Sequence, residues 1–463
     1  MSYKYIAKYH YKRITIYKNK KKLIQSFEEQ YLKELKKRKK YYIIELRKKS
    51  INYNQNNNKK EIWIISDRLD KAGDNGEYFF RYLKDKKPKR IKSFFVIRKN
   101  CSDYKSLKEL GDILEFGSTK HLNMFLKADK IISSMSNPWV DNPFGEDRKY
   151  IMDLFHFDFI FLQHGITKDD LSEFLNRLNK NFSLFITSAK REYKSIFAFN
   201  YGYKRKNVLL TGFPRFDIIY RFNKIVKKEK LLLIIPTWRE NIKGTINTIT
   251  YESIHSDIFK FTNFFNFYNS LINDRRLIFA MKKYNYTGIF CLHPRMSSQY
   301  IDFNKNQIFS IKNKCEYQEY FIKASLLVTD YSSIFFDFAY LRKPVIYAHF
   351  DYEEYRKNHY KKGYFDYEKD GFGPISYDLK STINEIINEI ENNCSLKKKY
   401  LKRINKFFTY FDGNNNERVY KAIINNHKNF MEPIIIINII LIIIYARIKI
   451  MMKNNIFKDS NYD

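Results

Sequence analysis

The clearest chemistry in this sequence lies in short polar clusters, each placed directly after an apolar run. Gln163-His164-Gly165 follows Phe159–Leu162. An imidazole, whose ordinary pKa is about 6.5, is suited to take a proton from a hydroxyl, and the glycine leaves room for a substrate beside it. A lone histidine is more often structural, so the company it keeps decides. Four further clusters follow apolar runs in the same way: Gly212-Phe213-Pro214-Arg215-Phe216-Asp217, Pro236-Thr237-Trp238-Arg239, His293-Pro294-Arg295 and Asp330-Tyr331-Ser332-Ser333. Arg215, Arg239 and Arg295 can each donate paired bonds to phosphate oxygens. Ser332 and Ser333 open a helix, where hydroxyls and free N–H groups can cradle phosphate. With Thr237 and Asp330 beside them, such corners converging on one cleft point to a pyrophosphate-containing donor. No GxxxxGK[ST] or strand-borne GxGxxG occurs, which excludes a P-loop and argues against a nicotinamide or flavin site. The loop Lys71–Glu77, with Asn75 and Gly76 at the start of a helix, could receive an anion or an acceptor, although a plain turn uses the same residues.

These clusters need elements to hold them. From Glu61 onward, short apolar runs alternate with helical stretches: Ile62–Ile65, Phe94–Ile97, Lys130–Ser133, Phe159–Leu162, Leu184–Thr187 and Val208–Thr211. The style restarts after Arg215–Lys230 with Leu231–Ile235, Gly288–Leu292, Ile308–Ile311, Leu326–Thr329 and Val345–Tyr347. Runs buried on both faces and alternating with helices imply parallel sheets covered by helices. The expected fold is therefore α/β: two Rossmann-like, doubly wound domains facing a cleft, with ligands beyond the carboxyl ends of the strands. The expected divisions are a basic helical extension and linker (1–60), an N-terminal Rossmann-like acceptor domain (61–218), a C-terminal donor domain with closing helices (219–430) and an Ile-rich tail (431–463).

The ends of the chain carry a different signal. Of a net charge of +35 over 463 residues, +15 lies in residues 1–60, which hold nineteen Lys and Arg against four Glu. Ile24, Phe27, Tyr31, Leu35, Tyr42 and Leu46 recur there at helical spacing. The segment reads as a helix packing one face on the next domain, or as one lying on an anionic membrane surface. Lys, Asn, Ile, Tyr and Phe are heavily used, a skew that an AT-rich genome imposes on any protein, yet a surface this basic still attracts polyanions. Ile434–Ala446 is nearly all apolar but, as a helix of about 20 Å, falls short of a ~30 Å hydrocarbon core. The four cysteines show no CxxC or Cys/His ligand spacing, so neither structural zinc nor a disulfide framework is expected. No apolar run follows the basic N-terminus as in a signal peptide, so a reducing cytosol is the expected compartment.

The motifs LQHGITKDD (162–170), LLTGFPRFD (209–217), IPTWRE (235–240), CLHPRM (291–296), VTDYSSIFFDFAYLRKPVIYAHFDYEEY (328–355) and GYFDYEKDGFGPI (363–375) together resemble the CDP-glycerol glycerophosphotransferases of the teichoic-acid type, which have the GT-B fold. WIISDRLDKAGDNGEYFFRYL (63–83) is similar to the start of many members. The resemblance spans about residues 61–410. It implies transfer of glycerol phosphate from CDP-glycerol to a hydroxyl of a lipid-linked or cell-surface polymer, with release of CMP. On that resemblance His164 is the general base and His293 stabilises the transferring phosphoryl group and departing CMP. Arg239, Asp330, Ser332 and Ser333 match the family's donor-site positions; the strand-end chemistry itself adds Arg215, Thr237 and Arg295 as donor-binding candidates and Asn75, Gly76 and Gly165 as acceptor-binding ones. The resemblance further implies no cofactor, no catalytic metal, and a site on the cytoplasmic face of the plasma membrane. Ile166-Thr167-Lys168 departs from the Thr-Pro-Leu-Lys type of stretch common after His-Gly, which bears on acceptor recognition. CDP-ribitol or another CDP-polyol fits the motifs almost as well. A nucleotide-sugar transferase fits less well, and no helix-turn-helix, zinc-finger or RNP motif supports a nucleic-acid binder.

Overall fold

The computed structural model describes residues 29, 32–38, 40–53, 60–242 and 253–426. The first 28 residues and the Ile-rich tail lie outside the described residues. Seven parallel strands form one sheet in the order β3-β2-β1-β4-β5-β6-β7. They are β1 (Glu61–Ser66), β2 (Ile91–Ile97), β3 (Ile113–Glu115), β4 (Lys130–Ser133), β5 (Asp158–Phe161), β6 (Leu184–Thr187) and β7 (Val208–Leu210). A second parallel sheet has the order β10-β9-β8-β11-β12-β13. Its strands are β8 (Leu231–Ile234), β9 (Thr287–Cys291), β10 (Phe309–Lys312), β11 (Leu326–Thr329), β12 (Val345–Ala348) and β13 (Ile375–Ser376).

Both sheets place their first strand centrally and wind outward on either side, the doubly wound order anticipated from the apolar runs. Strands β4, β6, β8, β11 and β12 are buried along their whole length, because helices cover both faces. The two strands with no clear apolar run, β3 and β13, are edge strands of three and two residues. Edges need less burial, so their sequences carry less pattern.

Five helices matter for the site and its support: α1 (Tyr41–Tyr53), α2 (Asn75–Lys86), α3 (Arg215–Ile225), α4 (Ile334–Tyr340) and α5 (Asn415–Asn425). Helix α1 is part of the first unit's core, since Ile43, Ile44 and Leu46 pack with Ile62, Phe94 and Phe125. Arg47, 1% exposed, pairs with Asp153 through Nη1 at 2.8 Å and Nη2 at 2.9 Å. The expected stripe is redrawn here: Leu35 and Leu46 are buried, but Tyr42 is exposed and donates to Asp147. A turn at Arg38 separates the two helical stretches, and α1 restarts with Ile43 and Ile44 inward. Helix α5 also departs from the anticipated grouping. It follows the second sheet in sequence yet returns to the first unit, where Tyr420 packs on Trp63 and Tyr82.

Candidate active site

The carboxyl ends of both sheets open onto a cleft of about 1490 Å³ lined by Arg68, His164, Trp238, His293, Ser332 and Ser333, among others. His164 reaches it through a sharp backbone turn. Gln163 adopts φ +68°, a left-handed conformation that costs a non-glycine residue energy and persists where the surroundings enforce it. Here Asn75 Nδ2 holds the Gln163 carbonyl at 2.7 Å, and the Gln163 amide donates to Thr167 Oγ1 at 2.6 Å. The His164 side chain is left 65% exposed at the cleft.

His164 Nδ1 bonds to Asp74 Oδ2. The other carboxylate oxygen, Oδ1, accepts from Asn75 N at 2.7 Å and Arg215 Nη1 at 2.9 Å. The Asp74 charge raises the His164 pKa above its ordinary value and outweighs the opposing Arg215 charge. Burial works against the Asp74 charge, but His164 and Arg215 outweigh it and hold that carboxyl low. Nδ1–H is thus engaged by the carboxylate, and Nε2 is the nitrogen available as a base.

His293 is built for the opposite task. It caps the turn that begins at Pro294, its Nδ1 accepting from Arg295 N at 3.2 Å. Burial, reinforced by the nearby Arg295 charge, depresses its pKa to about 3. A neutral imidazole whose Nδ1 accepts must carry its proton on Nε2, so His293 offers a fixed N–H donor. Arg295 lies over the Trp238 ring at 4.3 Å, and among the described residues it makes no ion pair. Gly165 brings the two units into close approach, because a Cβ added there would lie 2.9 Å from Ser333 Oγ.

Several expected site residues are placed differently. Arg215 is buried and spends its guanidinium on Asp337 (2.6 and 2.8 Å), Asp74 and the His164 carbonyl (2.9 Å). Arg239, also buried, pairs with Asp351 (2.7 Å) and Asp330 (2.8 Å) and donates to the Thr237 carbonyl. Asp330 is fully buried and accepts from Thr237 N, Tyr331 N and Tyr268 OH as well. These groups brace the strand-end loops through their mutual pairing. The reason is their depth: a guanidinium buried at a strand end is tolerated only when paired. The acceptor-side expectation changes likewise. Asn75 is buried and bridges Gln163 O and Arg215 N (3.1 Å), and Gly76 is enclosed. The N-terminus of α2 is already filled by Asp67, which accepts from Asp74 N, Gly76 N and Glu77 N at 2.7–3.0 Å. Burial, then the Asp74 charge, lifts Asp67 to about 7. Among the described residues no group of three His, Cys, Asp or Glu side chains gathers as a metal site would.

The partners that sequence reasoning missed are Asp74, Asp337 and Asp351. Asp74 lies in the loop singled out after β1, but nothing in a linear reading joins it to a histidine 90 positions away.

Two parallel doubly wound sheets whose carboxyl ends face one cleft define a protein of the GT-B class. The structure of the wall teichoic acid polymerase TagF has the same fold, with a TM-score of 0.57 at 16% identity over 85% of this chain and 95% of that one. The model of the family described as CDP-glycerol:poly(glycerophosphate) glycerophosphotransferase matches residues 47–425, and the chain belongs to that family. It is 42% identical over 373 residues to the minor teichoic acid biosynthesis protein GgaB of Bacillus subtilis (strain 168), covering 80% of this chain and 40% of that protein. It is 28% identical over 268 residues to the teichoic acid glycerol-phosphate primase of the same strain, covering 56% of this chain and 61% of that protein. The chain thus spans only part of the length of these relatives.

Proposed function

We propose that this protein transfers glycerol phosphate from CDP-glycerol to a hydroxyl of a teichoic-acid-like, lipid-linked acceptor, releasing CMP. The observation that carries the reading is the pair of differently prepared histidines on one cleft: His164 with Nε2 free to accept a proton, and His293 with Nε2–H fixed to donate. His164 removes the acceptor proton. The acceptor oxygen bonds to the phosphorus that bears glycerol, and the bond from that phosphorus to the bridging oxygen breaks, leaving its electron pair on CMP. Negative charge develops on the phosphoryl oxygens and on the departing phosphate. We assign that charge to His293, Ser332 and Ser333, which line the cleft, with Arg295 stacked on the lining Trp238 ring. Family membership and the relatives' names support the donor and acceptor classes.

The test is a donor screen. Protein is incubated with CDP-glycerol, CDP-ribitol or UDP-sugars and a short lipid-linked poly(glycerol phosphate) oligomer, and the released nucleotide is measured. CMP from a CDP-polyol is expected; UDP release with no CMP would replace the reading with sugar transfer. We further propose a peripheral position on an anionic, cytoplasmic membrane face, supported by the +15 charge of residues 1–60. No helix among the described residues is long and apolar enough to cross a membrane. Because α1 belongs to the core, neutralising Lys18, Lys20, Lys21 and Lys22 tests this better than truncation. Undiminished pelleting with anionic vesicles would remove the segment from the proposal.

A further inference from the structure

Arg215 stands between two carboxylates that belong to different halves of the site. On one side it grips Asp337 through Nε and Nη2, at 2.6 and 2.8 Å. Asp337 lies on α4, which begins immediately after Ser332 and Ser333 at the donor wall. On the other side Nη1 holds Asp74 Oδ1 and the His164 carbonyl, both at 2.9 Å. Its backbone N–H donates to Asn75, whose amide holds the Gln163 carbonyl in the left-handed turn. Arg215 therefore touches the ring partner of His164, the His164 backbone and the turn before it, while anchored to the helix behind the donor loop. Four of its five side-chain N–H donors are engaged in these bonds, and the residue is only 4% exposed at the cleft wall.

We infer that Arg215 is a positioning residue that couples the donor-side helix α4 to the His164–Asp74 pair, so that His164 is aligned as a base only while the two units are closed on each other. The inference rests on His164 being the base. Charged or titratable groups facing His164 are Asp74, Arg215, Arg68 and His293. Those facing Arg215 are Asp337, Asp74 and Asp67, with Glu192 and Tyr78 further off. A single ammonium cannot bridge two carboxylates as a guanidinium fork does.

The experiment measures CMP release from CDP-glycerol against pH for wild type, Arg215→Gln, Arg215→Lys, Asp337→Asn and His164→Ala. Arg215→Gln is expected to lower kcat about 10²-fold, the scale of a misplaced catalytic group, with donor KM within threefold. Its acidic limb moves to higher pH, because Asp74 then stabilises charged His164 unopposed. Asp337→Asn moves the limb the other way, since the Arg215 charge is no longer shared. Arg215→Lys keeps the wild-type limb but recovers only part of kcat. A tenfold rise in donor KM at unchanged kcat would make Arg215 a donor ligand and overturn the inference. Limbs unmoved in both charge variants would leave it a purely structural residue. If Arg215→Gln does not fold, Asp337→Asn and Arg215→Lys still decide, and ring-labelled histidine NMR reads the His164 titration without turnover. Wild-type turnover by His164→Ala would sink the base assignment itself. An inactive His164→Ala with unmoved limbs would sink only the coupling.

Discussion

Replacing Asp74 by Asn changes no shape and almost no volume, yet the hydrogen bonds around it force a specific outcome. Asp74 Oδ1 receives two donors, Asn75 N and Arg215 Nη1, so an amide at this position must keep its oxygen there. Its NH2 then faces His164 Nδ1, where a carboxylate oxygen now sits. Nδ1 must become an acceptor, and the imidazole proton moves to Nε2, the nitrogen that has to take the acceptor's proton. The base is present but in the wrong tautomer. General-base catalysis contributes about 10²–10⁴-fold, and Asp74→Asn is expected to lose most of that in kcat. The pH profile adds a second readout. In the wild type the Asp74 charge raises the His164 pKa, so the acidic limb lies above the ordinary histidine value. The base must be unprotonated, so rate falls as pH drops through that pKa. Loss of the charge moves the limb to lower pH. Initial rates of CMP release from pH 5 to 9 measure both. A variant within threefold of wild type, with its limb in place, would refute the dyad.

Other expectations follow from the same geometry. His293→Ala removes a fixed donor and is expected to lower kcat about 10²–10³-fold with a preserved fold; near-wild-type CMP release would end that assignment. Gly165→Ala sets a methyl 2.9 Å from Ser333 Oγ. Overpacking of that kind costs about 1–3 kcal/mol, and Ser333→Ala in the same chain should relieve it, because the Ser333 Cβ lies 3.7 Å away; thermal unfolding of single and double variants measures this. Asp330→Asn leaves buried Arg239 with half its compensation and should destabilise the protein by about 3–5 kcal/mol in denaturant unfolding. Burial opposes the Asp330 charge, but Arg239 and Thr237 prevail and hold its pKa below the ordinary value. Its contribution is therefore full above the ordinary carboxyl range and is lost as pH falls through the lowered pKa.

The sheets were legible because a strand buried on both faces is mostly apolar, and β8 and β12 announce themselves that way. The edge strands β3 and β13 carry no such demand and left no pattern. Strand ends, too, could be located, since Gly, Pro and polar residues interrupt each run. What a linear reading could not supply is pairing. Arg215 and Arg239 have the chemistry to bind phosphate, and only the fold reveals that Asp337 and Asp351, more than 100 positions away, already occupy them. Helix α1 packs one face on the first unit, the first of the two readings its periodicity allowed, but through Ile43, Ile44, Leu46 and Arg47 rather than the stripe through Tyr42.

The return of α5 to the first unit has a mechanical consequence. The chain passes between the halves twice, once through α3 and once before α5. The two passages are fastened together, for Asp217 of α3 accepts from Asn415 N and Asn416 N at 2.8 Å, and Gly212 lies directly against Asn415. Two adjacent straps behave like a double-pinned door: swinging about the line of the pins is cheap, whereas twisting or sliding strains both at once. If the halves part to admit a nucleotide and release the spent one, they are confined to a single arc. The Gly165–Ser333 contact would then return to the same register on every stroke.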